Sequence, residues 1–247
     1  MNVGLYQAIS GMKSAWENQQ VIASNLARNS IPGHRGESVA FEVPESVTTQ
    51  GSSENQLVAD PVKTRTWINF QQGSLQPSND PLHLAIQGDS FFSVKRADGS
   101  IAFTRNGEFM RSRDGKLIQS DGAELLMEGG ASATLQGNDE LTLSPDGTAY
   151  SGTSSIGKLD LVRFEKPSES LIADADGRFA LRDRKQPIRG LSAGDKVMQG
   201  YLEKSNVEPV KQMVDMMEVM RIYEANQKMA SMQDDTTGKL IRVVGGQ

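Results

Sequence analysis

The side chains able to do chemistry are few and scattered. The chain has two histidines, His34 and His83, and no cysteine. Disulfides, iron–sulfur clusters and the usual zinc sites therefore lack ligands. His34 follows a Pro-Gly stop and His83 opens a short apolar run. Neither stands in a local ligand or triad pattern, which nucleophilic catalysis would require. Two carboxylates could pair in space as glycosidase acids do, but many of the aspartates sit in Asp-Gly dipeptides, where a turn explains them. Gly129-Gly130 lacks the strand–loop–helix context of a phosphate loop. Arg105 and Arg221 read as ion-pair or interface residues. The residues predict no enzyme, no cofactor and no metal site.

Position along the chain is more informative than any single group. Of 247 residues, 24 are Gly and 9 are Pro. Residues 1–30 hold Gly4 and Gly11 alone of these, and residues 205–247 hold only Pro209, Gly238, Gly245 and Gly246. Two helix-compatible ends thus flank a turn-rich middle. No run of apolar residues exceeds three, which excludes a membrane-spanning helix and predicts that no secretory signal is present. A net charge of −5 with interspersed signs argues against nucleic acid as a partner. The apolar share of 37% predicts a modest core.

At the N-terminal end, Leu5, Ile9, Met12, Trp16, Ala23 and Leu26 follow helical spacing, interrupted by Gln19 and Gln20. Asn29-Ser30-Ile31-Pro32-Gly33 stops the helix. The second helix runs from about Asn206 to Val244. Ser205-Asn206-Val207-Glu208 reads as its cap, with Pro209 in the first turn where no N–H is needed. Val210, Met213, Val214, Met217 and Met220 share one face, and six of the eleven methionines lie between 213 and 232. Gly238 and Gly245-Gly246 predict fraying at the far end.

The middle reads as a β-meander. Asp98-Gly99, Asn106-Gly107, Asp114-Gly115, Asp121-Gly122, Asp146-Gly147 and Asp176-Gly177 are hairpin dipeptides suited to primed turns. Strands are predicted over 91–94, 101–104, 108–111, 116–118, 141–143, 156–164 and 178–182. Residues 36–80 read as an extended arm with a strand near 62–70. The phenylalanines alternate as a core does, against the reading of a β-rich binding or adhesin module.

Amphipathic stripes on two long terminal helices must bury against something. One solution is an intramolecular helical hairpin capping the β-region. The other is association between copies, with the helices ordering as they assemble. Flexible methionines suit a surface that repacks against non-identical neighbours, or simply fill gaps in a buried seam.

Three blocks carry a resemblance. The first is Val21-Ile22-Ala23-Ser24-Asn25-Leu26-Ala27 with Asn29 and Pro32-Gly33. The second is Ile86-Gln87-Gly88-Asp89-Ser90-Phe91-Phe92 with Asp98-Gly99, Phe103-Thr104-Arg105, Gly107, Phe109, Gly115-Lys116-Leu117 and Gly122. The third is Gly200-Tyr201-Leu202-Glu203 with Ser205-Asn206-Val207, Met213, Arg221, Tyr223-Glu224, Asn226, Lys228 and Asp234. In this order they resemble the bacterial flagellar rod and hook proteins, the axial proteins of the basal body. His34, Ser90 and Thr236-Thr237 depart from the family pattern, the last putting the final helical turns in question.

The resemblance implies an α+β fold. Long N- and C-terminal helices would pair as a coiled-coil-like assembly domain, flanking a mainly antiparallel β-rich central domain. The expected division is an assembly helix at 1–30, an arm at 31–82, a β-rich body at 83–200 and a second assembly helix at 201–247. The implied function is structural: a rod subunit that meets copies of itself and neighbouring rod and hook proteins. It would be exported by the flagellar type III apparatus, with neither nucleic acid nor membrane insertion involved. Length and the Ser205–Val210 segment resemble the mid-sized proximal type more than the distal one. The implied interface is Leu5, Ile9, Met12, Trp16, Asn25 and Leu26 on the first helix. On the second it is Val210, Met213, Val214, Met217, Met220, Arg221 and Tyr223.

Overall fold

A stretch free of proline with few glycines can hold an uninterrupted helix, and both ends of the chain do so in a computed structural model. It describes residues 3–42, 63–137, 139–174, 176–182, 187–191 and 194–245. In chain order these form α1 (Val3–Arg28), β1 (Glu37–Glu42), β2 (Lys63–Ile68), β3 (Leu75–Pro77), β4 (Leu84–Gln87), β5 (Phe91–Lys95) and β6 (Ile101–Thr104). Next come β7 (Met110–Arg111), β8 (Leu117–Ile118), β9 (Glu124–Leu125), β10 (Leu141–Leu143), β11 (Thr148–Ser151), β12 (Ser154–Lys158) and β13 (Leu161–Arg163). The last are α2 (Pro167–Ser170), β14 (Leu171–Ala173), β15 (Phe179–Leu181), β16 (Ile188–Arg189), β17 (Lys196–Gln199), β18 (Tyr201–Glu203) and α3 (Pro209–Gly245). Two compact units result, one from residues 1–27, 37–67 and 208–247, the other from 28–36 and 68–207. Residues 43–62 of the predicted arm lie outside the described residues.

In the first unit α1 and α3 meet through a few aliphatic side chains, flanked by glycines and amides. Ala15, Ile22 and Val219 are buried together, with Met216 against them. Gly11 faces Asn226 so closely that a Cβ there would lie 2.8 Å from the amide nitrogen. Gly4 faces Gln233 in the same way. At the other end Asn25 Nδ2 donates to Gln212 Oε1 at 3.0 Å, so the two helices run antiparallel. The less exposed positions of α3 include Gln212, Met216, Val219, Asn226, Ala230, Gln233 and Thr237, an alternation of three- and four-residue steps. Strands β1 and β2 pair with one another beside them.

The helix ends differ from expectation in two places. Ser205 Oγ accepts from the Val207 N–H at 3.2 Å, so it closes the turn before α3 and does not cap the helix; Pro209 does open it. At the far end the helix persists to Gly245. Thr236 and Thr237 donate their hydroxyls to the Met232 and Gln233 carbonyls, both at 2.8 Å, the back-bond by which a mid-helix threonine satisfies its hydroxyl within the helix.

The second unit is built around β5, which pairs antiparallel with β6, β9 and β13. Successive side chains of a strand point to opposite faces, and both faces of β5 are covered. Phe92 and Val94 enter a large core with Leu84, Ile86, Leu117, Leu125 and Leu161. Phe91 enters a second core with Phe103, Val162, Leu171 and Phe179. Phe70 and Phe164 complete an aromatic cluster there, with ring centroids 5.3–6.1 Å apart. Most predicted strands are present, though several are shorter. Strand β4 is the short apolar run that His83 opens; β3, β17 and β18 were not predicted. The four pair across the length of the unit, β4 with β17 and β3 with β18.

The Asp-Gly turns form by a different route from that expected. Each glycine closes an i→i+3 bond, as Gly99 does to Arg96 at 2.9 Å and Gly122 to Gln119 at 2.8 Å. Both have positive φ, the arrangement of longer hairpin loops and not of two-residue primed turns. The aspartate is chosen because its carboxylate accepts the N–H two residues on: Asp98 from Ser100, Asp121 from Ala123, Asp146 from Thr148. The Ser100 and Thr148 hydroxyls, which donate to the same carboxylates, and then those backbone bonds hold the carboxyls of Asp98 and Asp146 below their ordinary range, as an Arg178 bond does first for Asp121. Gly107 is no such turn. A Cβ there would lie 1.5 Å from the Leu84 carbonyl oxygen, so the glycine is needed for close backbone approach.

Candidate assembly interface

Because the seam between α1 and α3 takes small side chains, the large apolar ones are left outside. On α1, Ile9 and Trp16 are exposed, while Leu5, Met12 and Leu26 are half-buried. On α3, Val210 is 76% exposed, and Met213, Val214, Met217, Met220, Arg221 and Tyr223 are all exposed. Four residues that the spacing argument missed join them: Tyr6, Ile222, Met229 and Met232. Tyr6 lies three residues before Ile9, and the two methionines lie three residues apart beyond the predicted stripe. Extending the same helical period reaches Tyr6 and Met232, while Ile222 and Met229 lie about 100–120° around the helix from Val210.

Asn25 sits elsewhere than the sequence reading placed it. It is buried, accepts from the Glu37 N–H at 2.9 Å and donates to the Glu37 carbonyl at 2.7 Å. Its amide pins the start of β1 and is not presented to a neighbour.

The second unit gathers its chain connections at one buried polar cluster. The Glu203 carboxylate is fully buried between two guanidinium groups, with Arg35 Nη1 at 2.6 Å and Arg105 Nη1 at 3.3 Å. It also accepts the Gly73 N–H at 2.9 Å. Arg105 lies over the Phe91 ring, 4.9 Å from its centroid, and burial pushes its pKa down to about 10. Beside this, the Asn206 side chain binds three backbone groups on two chain segments. Its Oδ1 accepts from Gly36 N–H at 2.8 Å, and its Nδ2 donates to the carbonyls of Asn69 and Gln71. Its own N–H donates to the His34 carbonyl.

The two remaining departures from the family pattern are both interior. His34 is buried beside Arg28 and Arg35; burial first, then those cations, lower its pKa to about 4. Ser90 is buried and donates to Asp195 Oδ2 at 2.7 Å. His83 has a serine and an aspartate near it, but Nδ1 meets Ser78 Oγ at 2.9 Å while Asp80 is 3.9 Å from Nε2. That aspartate is beyond hydrogen-bond reach, and it accepts the Leu82 N–H of the same turn. Among the described residues no group of three acidic or histidine side chains is arranged to hold a metal. None of the described helices is long and apolar enough to cross a membrane.

Comparison with known proteins accounts for this distribution. The model of the flagellar hook protein FlgE/F/G D1 domain matches residues 85–151, and that of the flagellar basal body rod FlgEFG protein C-terminal region matches residues 198–243. The chain is 31% identical to the flagellar basal-body rod protein FlgF of Salmonella typhimurium, over 97% of each chain. The chain belongs to the flagellar basal-body rod protein family. The rod protein FlgF of Escherichia coli is 32% identical over the same share of each chain. A G-type rod protein, FlgG of Borreliella burgdorferi, is 28% identical over 95% of this chain and 96% of its own. For a rod protein, large apolar side chains facing outward on two helices are an expected feature, since such patches mark protein interfaces.

Proposed function

We propose that this chain is a structural, non-catalytic subunit of the flagellar rod, of the F type found in the proximal rod. Its terminal helices pair in a coiled-coil-like manner and bury their outer stripes against copies of the chain and neighbouring rod and hook proteins. The β-rich unit, with its own closed cores, stiffens the subunit for carrying torque to the hook. The subunit reaches the rod through the flagellar export apparatus. The observation that carries this reading is how little of the helices' apolar surface is buried, with only Ala15, Ile22 and Val219 clustered inside and Ile9, Trp16, Met213, Met217 and Met220 outside among the described residues. The F-type assignment rests on the higher identity to FlgF than to FlgG in these relatives. A β-rich binding module would present aromatics on the second unit, whereas Phe91, Phe92, Phe103, Phe109 and Phe179 are buried.

The test is a chain lacking residues 1–28, expressed as the sole copy in its host. It should retain the thermal transition of the second unit yet be absent from purified basal bodies. Normal incorporation of the truncated chain would refute the assembly role of α1.

A further inference from the structure

Sulfur chemistry in this chain belongs to methionine alone, since it has eleven methionines and no cysteine. The structure sorts them by access. Met127 is 5% exposed in the larger core of the second unit, and Met12, Met198 and Met216 are half-buried. Met110 stands exposed on β7. Five more, Met213, Met217, Met220, Met229 and Met232, lie on α3 and are 47–60% exposed. The first three follow one another at steps of four and three residues, so they share a face. Val210 and Val214 are exposed beside them.

Leucine would supply the same apolar area at these positions. Thioether sulfur adds one property that leucine lacks. Its lone pair attacks an oxygen of a hydroperoxide: an S–O bond forms and the O–O bond breaks. The proton on the transferred oxygen passes to the departing hydroxide, which leaves as water when the oxidant is hydrogen peroxide. Sulfur loses two electrons and the peroxide gains them. The product is a sulfoxide, polar and chiral where the thioether was apolar and flexible. Burying it in an apolar contact then costs what burying any unpaired polar group costs. A thioether has no proton to lose, so exposure decides which sulfur reacts.

We infer that Met213, Met217 and Met220 form a reversible oxidation site, through which a hydroperoxide withholds the free subunit from incorporation. The inference rests on the rod reading above and adds a control to it. In the free chain the three sulfurs face solvent. A neighbour that covers this face shields them, so the oxidant acts before incorporation and not after it. The second unit keeps its fold meanwhile, because Met127 is the one methionine in its described cores and is out of solvent. Return to the thioether needs two thiols, which take up the oxygen as water and end as a disulfide. A chain without cysteine cannot supply them, so the implied partner is a separate methionine sulfoxide reductase.

The test sets two chains against each other in one cell. Wild type and a Met213→Leu/Met217→Leu/Met220→Leu variant are expressed together in a host lacking its own copy. Hydrogen peroxide is added while basal bodies form, and mass spectrometry reads chain ratio and sulfoxide content in the free pool and in purified basal bodies. Sulfoxide should appear at the three positions of the free wild-type chain ahead of Met127. The variant should be enriched in basal bodies about tenfold or more over untreated cells, as three side chains lose their apolar contacts. Within the wild type alone, sulfoxide at these positions should be about tenfold scarcer in basal bodies than in the free pool. Raising the level of a methionine sulfoxide reductase should return both ratios to within about twofold of the untreated values. Equal sulfoxide in the two pools overturns the inference, as does a free pool whose three sulfurs react no faster than Met127. If the ratios are unchanged while Met217→Asp still blocks incorporation, the oxidation site falls and the rod reading stands. If Met217→Asp also incorporates normally, both fall.

Discussion

The outward face of α3 can be tested by a graded series at Met217. This side chain is 53% exposed, so about half of its apolar surface remains to be covered by a neighbour. Full burial of a methionine is worth about 1.5–3 kcal/mol, which leaves about 1 kcal/mol to be gained at each contact. Met217→Leu keeps that surface and should incorporate normally. Met217→Ala loses most of it, and about 1 kcal/mol corresponds to about fivefold weaker association. Met217→Asp adds an unpaired charge that the interface would have to desolvate at about 3 kcal/mol or more. The combined loss of about 4 kcal/mol is about a thousandfold. None of the three should shift the unfolding transition of the second unit, since the position lies in the first. The readout is the amount of chain in purified basal bodies, with circular dichroism melting of the free protein alongside. Normal incorporation of the aspartate variant would refute the interface assignment. Loss of the second unit's transition would show that the substitution acts on folding.

Three further predictions concern the interior. Glu203→Gln leaves Arg35 and Arg105 buried without a counter-charge and should cost about 3–5 kcal/mol, lowering the melting midpoint of the second unit by about 10 °C; an unchanged midpoint would contradict the ion cluster. Asn206→Ala unties Gly36, Asn69 and Gln71 together and should destabilise by about 2 kcal/mol, whereas Ser205→Ala, which loses one turn bond, should cost under about 1 kcal/mol on the same urea titration. His34 resists, when folded, a proton that the unfolded chain accepts below pH 6.5, its ordinary value. Stability should therefore fall as pH drops from about 6.5 to about 4, and His34→Gln should flatten that part of the profile. Asp121, held below its ordinary 3.8 by Arg178, keeps its full contribution above that pH and loses it only below, so the two windows separate in the wild-type titration.

Where the chain carries its own local rule, the sequence was readable. Asp98, Asp121 and Asp146 announce turns because the same carboxylate that disfavours a strand caps the backbone two residues later. Asn106-Gly107 looks identical in the sequence but answers to a distant carbonyl, that of Leu84, and no local rule could expose this. The same holds for β17, which is fixed by pairing with β4 more than a hundred residues away. Asn206 stood where a cap residue stands, and an amide that ties two distant segments has the same local signature as one that caps a helix. On α1 the error was one of weighting. Size-weighted periodicity selected Leu5, Ile9, Met12 and Trp16, while the buried positions are Ala8, Ala15 and Ile22, two of them small enough to permit close approach.

That weighting error bears on function. Two helices of 26 and 37 residues share one small buried cluster, Ala15, Ile22 and Val219. The second unit closes around two cores of its own. Helix stability in water comes mainly from packing an apolar face, and in this chain most of that face points outward. Among the described residues the first unit leaves that stripe uncovered, as the proposed assembly role requires, while the second closes its own cores. A subunit built this way can keep its β-rich unit folded on its own and commit its helices only on meeting neighbours. The small-residue seam then sets the spacing of the helix pair, and the exposed Met-rich face sets what it binds.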